Sequence, residues 1–218
     1  MDKQRVLQKI REVGLVPVLR AKSAAEAIQL ADAIAAGGVT VLEVTMTVPG
    51  AVEVIRQIVA HSGDRILVGA GTVLDPETAQ ACMLAGARFI VSPCLNLKTI
   101  EFCQREGLVV IPGALTPTEI VTAWQAGADV VKVFPCSAVG GTKYLQALKA
   151  PFPQIELIPT GGVSLATAAE FLSAGAFALG VGGDLVDSAA LARGEPEVIT
   201  RNAEKYLEIV RASRMRRA

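Results

Sequence analysis

Two charged side chains stand where packing alone would not put them. Lys132 lies inside Val130-Val131-Lys132-Val133-Phe134-Pro135, a run whose β-branched and aromatic residues predict a buried strand. An ammonium is costly to bury, and an amine buried without a counter-charge tends to give up its proton. A neutral amine at the end of such a strand attacks ketones and forms a Schiff base. Glu43 interrupts the equally apolar Thr40-Val41-Leu42-Glu43-Val44-Thr45, where an unpaired carboxylate would hold its proton to higher pH than usual. Together they would supply a nucleophile and a base. Two plainer readings stand beside this one. Lys132 could carry its ammonium out to solvent, or the two could form an ion pair that only fixes the interior.

A pair of glycine turns forms the second feature. Pro159-Thr160-Gly161-Gly162-Val163 and Gly180-Val181-Gly182-Gly183 each close an apolar run and precede a helix signal. Bare backbone N–H groups in such turns suit a phosphate; simple tight turns are the alternative.

These residues need elements to position them, and the chain supplies them in alternation. Strands are predicted at Val16–Arg20, Thr40–Thr45, Ile66–Ala70, Phe89–Ser92, Leu108–Ile111, the run holding Lys132, Glu156–Pro159 and Ala176–Gly180. A helix over Lys3–Glu12 precedes them. Others follow Ser23 (with Glu26 at capping-box spacing), Pro49, Pro76, Leu97, Pro117, Lys143, Ser164 and Pro196, the last running to Arg211. Ala36-Gly37-Gly38, Ala85-Gly86-Ala87, Ala126-Gly127-Ala128 and Ala174-Gly175-Ala176 repeat one helix-ending phrase. Eight βα units predict an α/β protein of the (β/α)8 barrel type, one domain over residues 1–218 with an N-terminal helix. A doubly wound open sheet is the alternative. A barrel puts its site at the C-terminal strand ends. Those ends gather Arg20, Glu43 with Thr45 and Thr47, Gly71-Thr72, Pro93, Lys132 with Phe134, Thr160, and Gly182-Gly183.

Composition narrows the chemistry further. Lys and Arg total 21, as do Asp and Glu, so charge gives no argument for nucleic acid or membrane partners. No apolar run is long enough to span a bilayer and no leader peptide is predicted. The four cysteines, Cys82, Cys94, Cys103 and Cys136, lack metal-knuckle spacing and are expected as reduced thiols of a cytoplasmic protein. The one histidine, His61, precedes the turn Ser62-Gly63-Asp64, which argues against a Ser-His-Asp triad or a multi-histidine zinc site. The basic end, Arg211, Arg214, Arg216 and Arg217, is expected to fray into solvent.

Taken in order, several of these segments resemble one family. Val18-Leu19-Arg20, Leu42-Glu43-Val44-Thr45, Gly69-Ala70-Gly71-Thr72-Val73, Ser92-Pro93, Val131-Lys132-Val133-Phe134-Pro135 and Pro159-Thr160-Gly161-Gly162-Val163 are similar to the motifs of the 2-keto-3-deoxy-6-phosphogluconate aldolases. That family also contains 4-hydroxy-2-oxoglutarate aldolases. The resemblance extends to Leu185-Val186. It implies a class I lyase needing no metal or cofactor, with Lys132 as Schiff-base lysine and Glu43 as proton carrier. It further implies a pyruvate pocket that includes Thr72 and Pro93, a phosphate turn at Gly161 and Gly162, and a homotrimer. Two departures stand out. Met46-Thr47-Val48 offers no arginine where many members bind the substrate carboxylate, a position Arg20 with Thr47 is expected to cover. Gly182-Gly183 is followed by Asp184 where many members place a serine. The 6-phosphogalactonate aldolases also lack that arginine, so the C4 configuration of the substrate stays open. A barrel that only binds anions is the non-catalytic alternative.

Overall fold

The computed structural model describes residues 1–216. Its first helix, α1 (Lys3–Val13), begins under Asp2, whose carboxylate accepts the Arg5 N–H at 2.9 Å. Such a cap satisfies a donor that the helix itself cannot. One face of α1 buries Val6, Ile10 and Val13 against β1 (Leu15–Leu19), β2 (Val41–Thr45) and β5 (Val109–Ile111). Between these strands lie α2 (Ala24–Ala36), α3 (Ala51–Ser62), β3 (Leu67–Gly71), α4 (Pro76–Leu84), β4 (Phe89–Val91) and α5 (Leu97–Arg105). The second half runs β6 (Gly113–Ala114), α6 (Pro117–Gln125), β7 (Val131–Val133), α7 (Thr142–Lys149), β8 (Leu157–Pro159), α8 (Ala168–Ser173) and β9 (Leu179–Val181). Two more helices, α9 (Ser188–Ala192) and α10 (Pro196–Met215), complete it.

Every strand pairing is parallel. Six strands in the order β5-β4-β3-β2-β1-β9 form a half-barrel, and β6-β7-β8 form a second sheet. A bridge between Thr160 and Gly180 joins the end of β8 to β9. All strand residues are buried, as expected of parallel strands covered by helices on the outside and by side chains within. The register places Glu43 opposite Gly69 and Lys132 opposite Ile158.

The alternating pattern holds, with local differences. The fifth predicted strand is interrupted at Pro112, which has no N–H to give, and continues as β6. Gly113 then passes so close to Pro93 that a Cβ would lie 2.3 Å from the Pro93 carbonyl carbon. Ser164 does not cap a helix: its own N–H bonds to Thr167 Oγ1 at 2.9 Å, and α8 starts only after Thr167. Pro49 likewise precedes the helix it was expected to open, since Gly50 is the N-cap of α3. Helix α9 was not anticipated. Its five residues are too few for a periodic signal. Ser23 does cap α2, accepting the Glu26 N–H. The glycine phrases behave as read, with Gly38, Gly86, Gly127 and Gly175 all left-handed.

The basic end does not fray as expected. Helix α10 continues to Met215, and the Arg214 guanidinium donates to the carbonyls of Glu12 and Arg11 at the C-terminal end of α1. Those are the free carbonyls that a helix leaves at its end. Arg217 lies outside the described residues. No helix among the described residues is long and apolar enough to cross a membrane.

Gly69 offers a test of this packing. A methyl there would sit 2.2 Å from Phe89 Cε2, a ring held at 0% exposure. Gly69→Ala should therefore cost about 1–3 kcal/mol of stability from overpacking. The check is a lowered urea midpoint with an unchanged slope.

Candidate active site

Glu43 is carried by the six-stranded sheet and Lys132 by the three-stranded one, yet they face each other. Lys132 Nζ lies 3.8 Å from Glu43 Oε1, and the residues are only 6% and 2% exposed. That separation is within ion-pair range but too long for a hydrogen bond, and Glu43 Oε1 has no hydrogen-bond partner. Burial pushes the Glu43 carboxyl above its ordinary range, while the charges of Lys132 and then Arg20 pull it part of the way back. The interior around the pair is lined by Val16, Val91, Ile111, Ile158, Thr160 and Gly180, contributed by both sheets. The reading in which Lys132 reaches solvent is therefore excluded.

Small residues make the room. A Cβ on Gly71 would fall 1.8 Å from Glu43 Oε1, so the side-chain space of residue 71 is occupied by the carboxylate. A Cβ on Gly180 would fall 2.1 Å from the hydroxyl oxygen of Thr160, which is buried next to the pair. Phe134 stands beside the amine, its ring centre 5.3 Å from Lys132 Nζ, within cation–π range. Pro93 is half-buried against the Gly113 backbone.

The strand ends also place the remaining candidates. The Thr45 hydroxyl lies 3.1 Å from the Leu19 carbonyl and 2.7 Å from the Thr47 hydroxyl, a contact in which either hydroxyl can donate. Arg20 is exposed at the end of β1 and reaches Glu43 as a through-space charge. Thr72 adopts φ 59°, a left-handed conformation that its branched side chain makes costly. Nothing in its local sequence signals that strain. Strain of this kind concentrates where a site dictates backbone position.

The glycine turns differ from expectation. Gly161 and Gly162 take φ of 91° and 77°, but α8 begins only at Ala168, beyond the Ser164–Thr167 turn. After β9, the N–H groups of Leu185 and Val186 turn back to the Gly182 carbonyl at 3.1 and 3.0 Å. A Cβ on Gly182 or Gly183 would touch nothing within 4 Å. Neither turn is followed directly by a helix start. Asp184 shows a role that no local spacing revealed: its Oδ2 accepts the Leu165 N–H at 3.1 Å and the Tyr206 hydroxyl at 2.5 Å. Tyr206 comes from α10, far along the chain.

Burial pushes the Cys82 and Cys136 thiols up to about 11 and that of Cys103 to about 12, away from thiolate reactivity. His61 pairs with Asp32 at the surface, 3.1 Å apart. Among the described residues no three His, Cys, Asp or Glu side chains are grouped so as to hold a metal ion.

The raised carboxyl of Glu43 has a thermodynamic signature. Its folded value lies above the ordinary 4.5, so between the two values the folded state binds more protons. Stability must then fall as pH rises through that window, the cost being complete above the folded value. Glu43→Gln should remove this part of the slope, as read from urea unfolding across a pH series. An unaltered slope in the variant would mean that Glu43 ionises normally.

Comparison with known proteins agrees with this geometry. The family model described as KDPG and KHG aldolase matches residues 6–202. A Treponema pallidum protein named 2-dehydro-3-deoxy-phosphogluconate aldolase is 36% identical, covering 94% of this chain and 97% of its own. The Escherichia coli K12 KHG/KDPG aldolase is 38% identical over 89% of this chain and 91% of its own. Among solved structures, the KDPG aldolase of Legionella pneumophila, with pyruvate captured at low pH as a covalent carbinolamine, superposes with a TM-score of 0.85. It is 30% identical and covers 91% of this chain and 96% of its own. A model match across most of the chain and relatives of this identity lead to one conclusion: the chain belongs to the KDPG and KHG aldolase family, whose members are lyases.

Proposed function

We propose that Lys132 and Glu43 carry out class I aldol cleavage of a 2-keto-3-deoxy sugar acid, releasing pyruvate and an aldehyde. The observation that carries this reading is the buried, 3.8 Å juxtaposition of an amine and a carboxyl that lacks a hydrogen-bond partner on Oε1. Lys132 attacks the ketone at C2 and water leaves, giving a protonated imine. The electrons of the C3–C4 bond flow into that cation as Glu43 takes the C4 hydroxyl proton, directly or through a water. The aldehyde departs, the enamine is protonated at its terminal carbon, and hydrolysis frees pyruvate and the lysine. The carbinolamine captured in the Legionella enzyme is the first covalent species of such a sequence.

Around these two, Phe134 and Pro93 flank the pyruvyl group. Thr160 lies beside the imine, and Arg20 with Thr72 receives the carboxylate. Gly161, Gly162, Gly182 and Gly183 receive the far end of the substrate. The relatives' names favour the gluconate skeleton; the galactonate epimer and 4-hydroxy-2-oxoglutarate are competing substrates for the same chemistry. The architecture we propose is one (β/α)8 domain. The β5-to-β6 continuity and the Thr160–Gly180 bridge support its closure. The enzyme is read as a cytoplasmic homotrimer. Exposed Leu74, Leu84, Leu97 and Trp124 provide apolar surface for subunits to cover.

Lys132→Ala should abolish cleavage in a protein that still unfolds cooperatively, and borohydride with pyruvate should trap an adduct on wild-type Lys132 alone. A non-catalytic anion binder would show no adduct, and normal turnover in Lys132→Ala would end the Schiff-base reading. Glu43→Gln should still trap pyruvate, slowly, yet lose roughly 100- to 10,000-fold in turnover.

The carboxylate assignment has its own test. A guanidinium meets a carboxylate through two parallel bonds, which an ammonium cannot reproduce. Arg20→Lys should weaken pyruvate binding, and adding Thr47→Arg should restore part of it. A shifted pH profile with unaltered pyruvate affinity would instead make Arg20 a partner of Glu43.

A further inference from the structure

The loops after β8 and β9 (residues 160–167 and 182–187) are fastened to each other at two levels. At their roots the Thr160–Gly180 bridge joins β8 to β9. At their tips Asp184 Oδ2, from the second loop, accepts the Leu165 N–H of the first at 3.1 Å. Above the bridge, this is the one hydrogen bond among the described residues that spans the two loops. Between the fastenings lie Gly161 and Gly162 on one side and Gly182 and Gly183 on the other. The N–H groups of Gly161, Gly162 and Gly183 have no hydrogen-bond partner among the described residues. Each loop is also braced from within. The Thr167 hydroxyl donates to the Gly162 carbonyl at 2.9 Å, while Leu185 and Val186, both buried, turn their N–H groups back to the Gly182 carbonyl. The tie itself is backed by α10. Tyr206, 0% exposed, donates its hydroxyl to the same Asp184 Oδ2 at 2.5 Å, and one turn earlier the Asn202 side chain donates to the Asp184 carbonyl at 3.4 Å. Burial and the Asp184 carboxylate hold the Tyr206 phenol far above its ordinary range, so it remains a donor.

We propose that Asp184 is a positioning residue for the far end of the substrate: backed by Tyr206, it sets the gap between the two glycine turns so that their free N–H groups converge on the same oxygens. Asp184 acts through backbone amides and takes no part in the covalent steps. Glycine turns have more conformational freedom to lose than any other backbone, and donors held in place beforehand spare the substrate that ordering cost. An ionised carboxylate suits the task, because one of its oxygens can accept two donors and such bonds are stronger than neutral ones. The proposal rests on the reading that these turns receive the far end of the substrate.

The test measures kcat and KM for cleavage of 2-keto-3-deoxy-6-phosphogluconate beside borohydride trapping of pyruvate, which lacks the far end. Asp184→Ala and Tyr206→Phe should each raise KM roughly 10-fold, the scale of a backbone hydrogen bond lost from a charged group, with kcat and trapping within about 2-fold of wild type. Asp184→Asn keeps an acceptor for both donors and should recover most of the wild-type KM. Should Asp184→Ala fold poorly, Tyr206→Phe, which removes a single oxygen, carries the test alone. A lowered melting temperature with unaltered KM makes the tie purely structural and overturns the proposal. So does a lower KM in Asp184→Ala, which would make the carboxylate a repelling charge, and so does a loss of trapping equal to the loss of cleavage in both variants. Wild type separates the two levels. Failure of the tie leaves wild-type cleavage and trapping intact, whereas wild-type trapping without cleavage of this acid sinks the far-end reading and the proposal with it.

Discussion

An acid and an amine enclosed 3.8 Å apart, away from water, are the interaction on which the rest of the structure depends. Such a pair contributes little net stability, because desolvation offsets most of the attraction, but loss of either partner leaves an uncompensated charge that costs about 3–5 kcal/mol. Much of the local sequence is explained by that constraint. Gly71 leaves the carboxylate its space, Gly180 leaves Thr160 its space, and Phe134 borders the amine. The two partners sit on different sheets, so the pair exists only while both sheets keep their places. Fold and chemistry therefore share one requirement.

The fold was legible wherever the pattern was local. Apolar runs bounded by glycine or proline marked the strands, and caps such as Ser23 marked helix starts. The misreadings fall where a longer-range contact overrides local preference. Ser164 has the chemistry of a cap, but Thr167 engages its amide first. The arginines near the end look like a solvated tail, but the carbonyls of α1 give Arg214 partners. At the site, Lys132 and Glu43 were visible because each breaks an apolar run. Asp184 with Tyr206 was not, because the partner lies on another element and neither residue violates its own pattern.

Strain and charge are distributed unequally around the mouth. Thr72 holds a conformation that its branched side chain disfavours by roughly 1–3 kcal/mol, and it does so next to Gly71, where Glu43 is accommodated. Apart from Lys132, the basic side chains at the strand ends lie on the β1 side, at Arg20 and Lys22, whereas the loops after β7, β8 and β9 are neutral or acidic.

The pairing of β1 with β9 has a consequence for how the molecule is made. Val16 lies opposite Gly180, so this seam joins residues separated by most of the chain. Contacts of such high order must wait for loop closure, which slows folding. As synthesis proceeds from the N-terminus, β1 can acquire β2 early, but its other edge has no native partner until β9 has left the ribosome. Through that interval a buried-type strand of entirely apolar residues, Leu15 to Leu19, presents an open edge. Such an edge invites pairing with other chains. The position of the seam thus makes the last strand synthesised the guardian of the first, and makes nascent-chain protection part of the cost of this architecture.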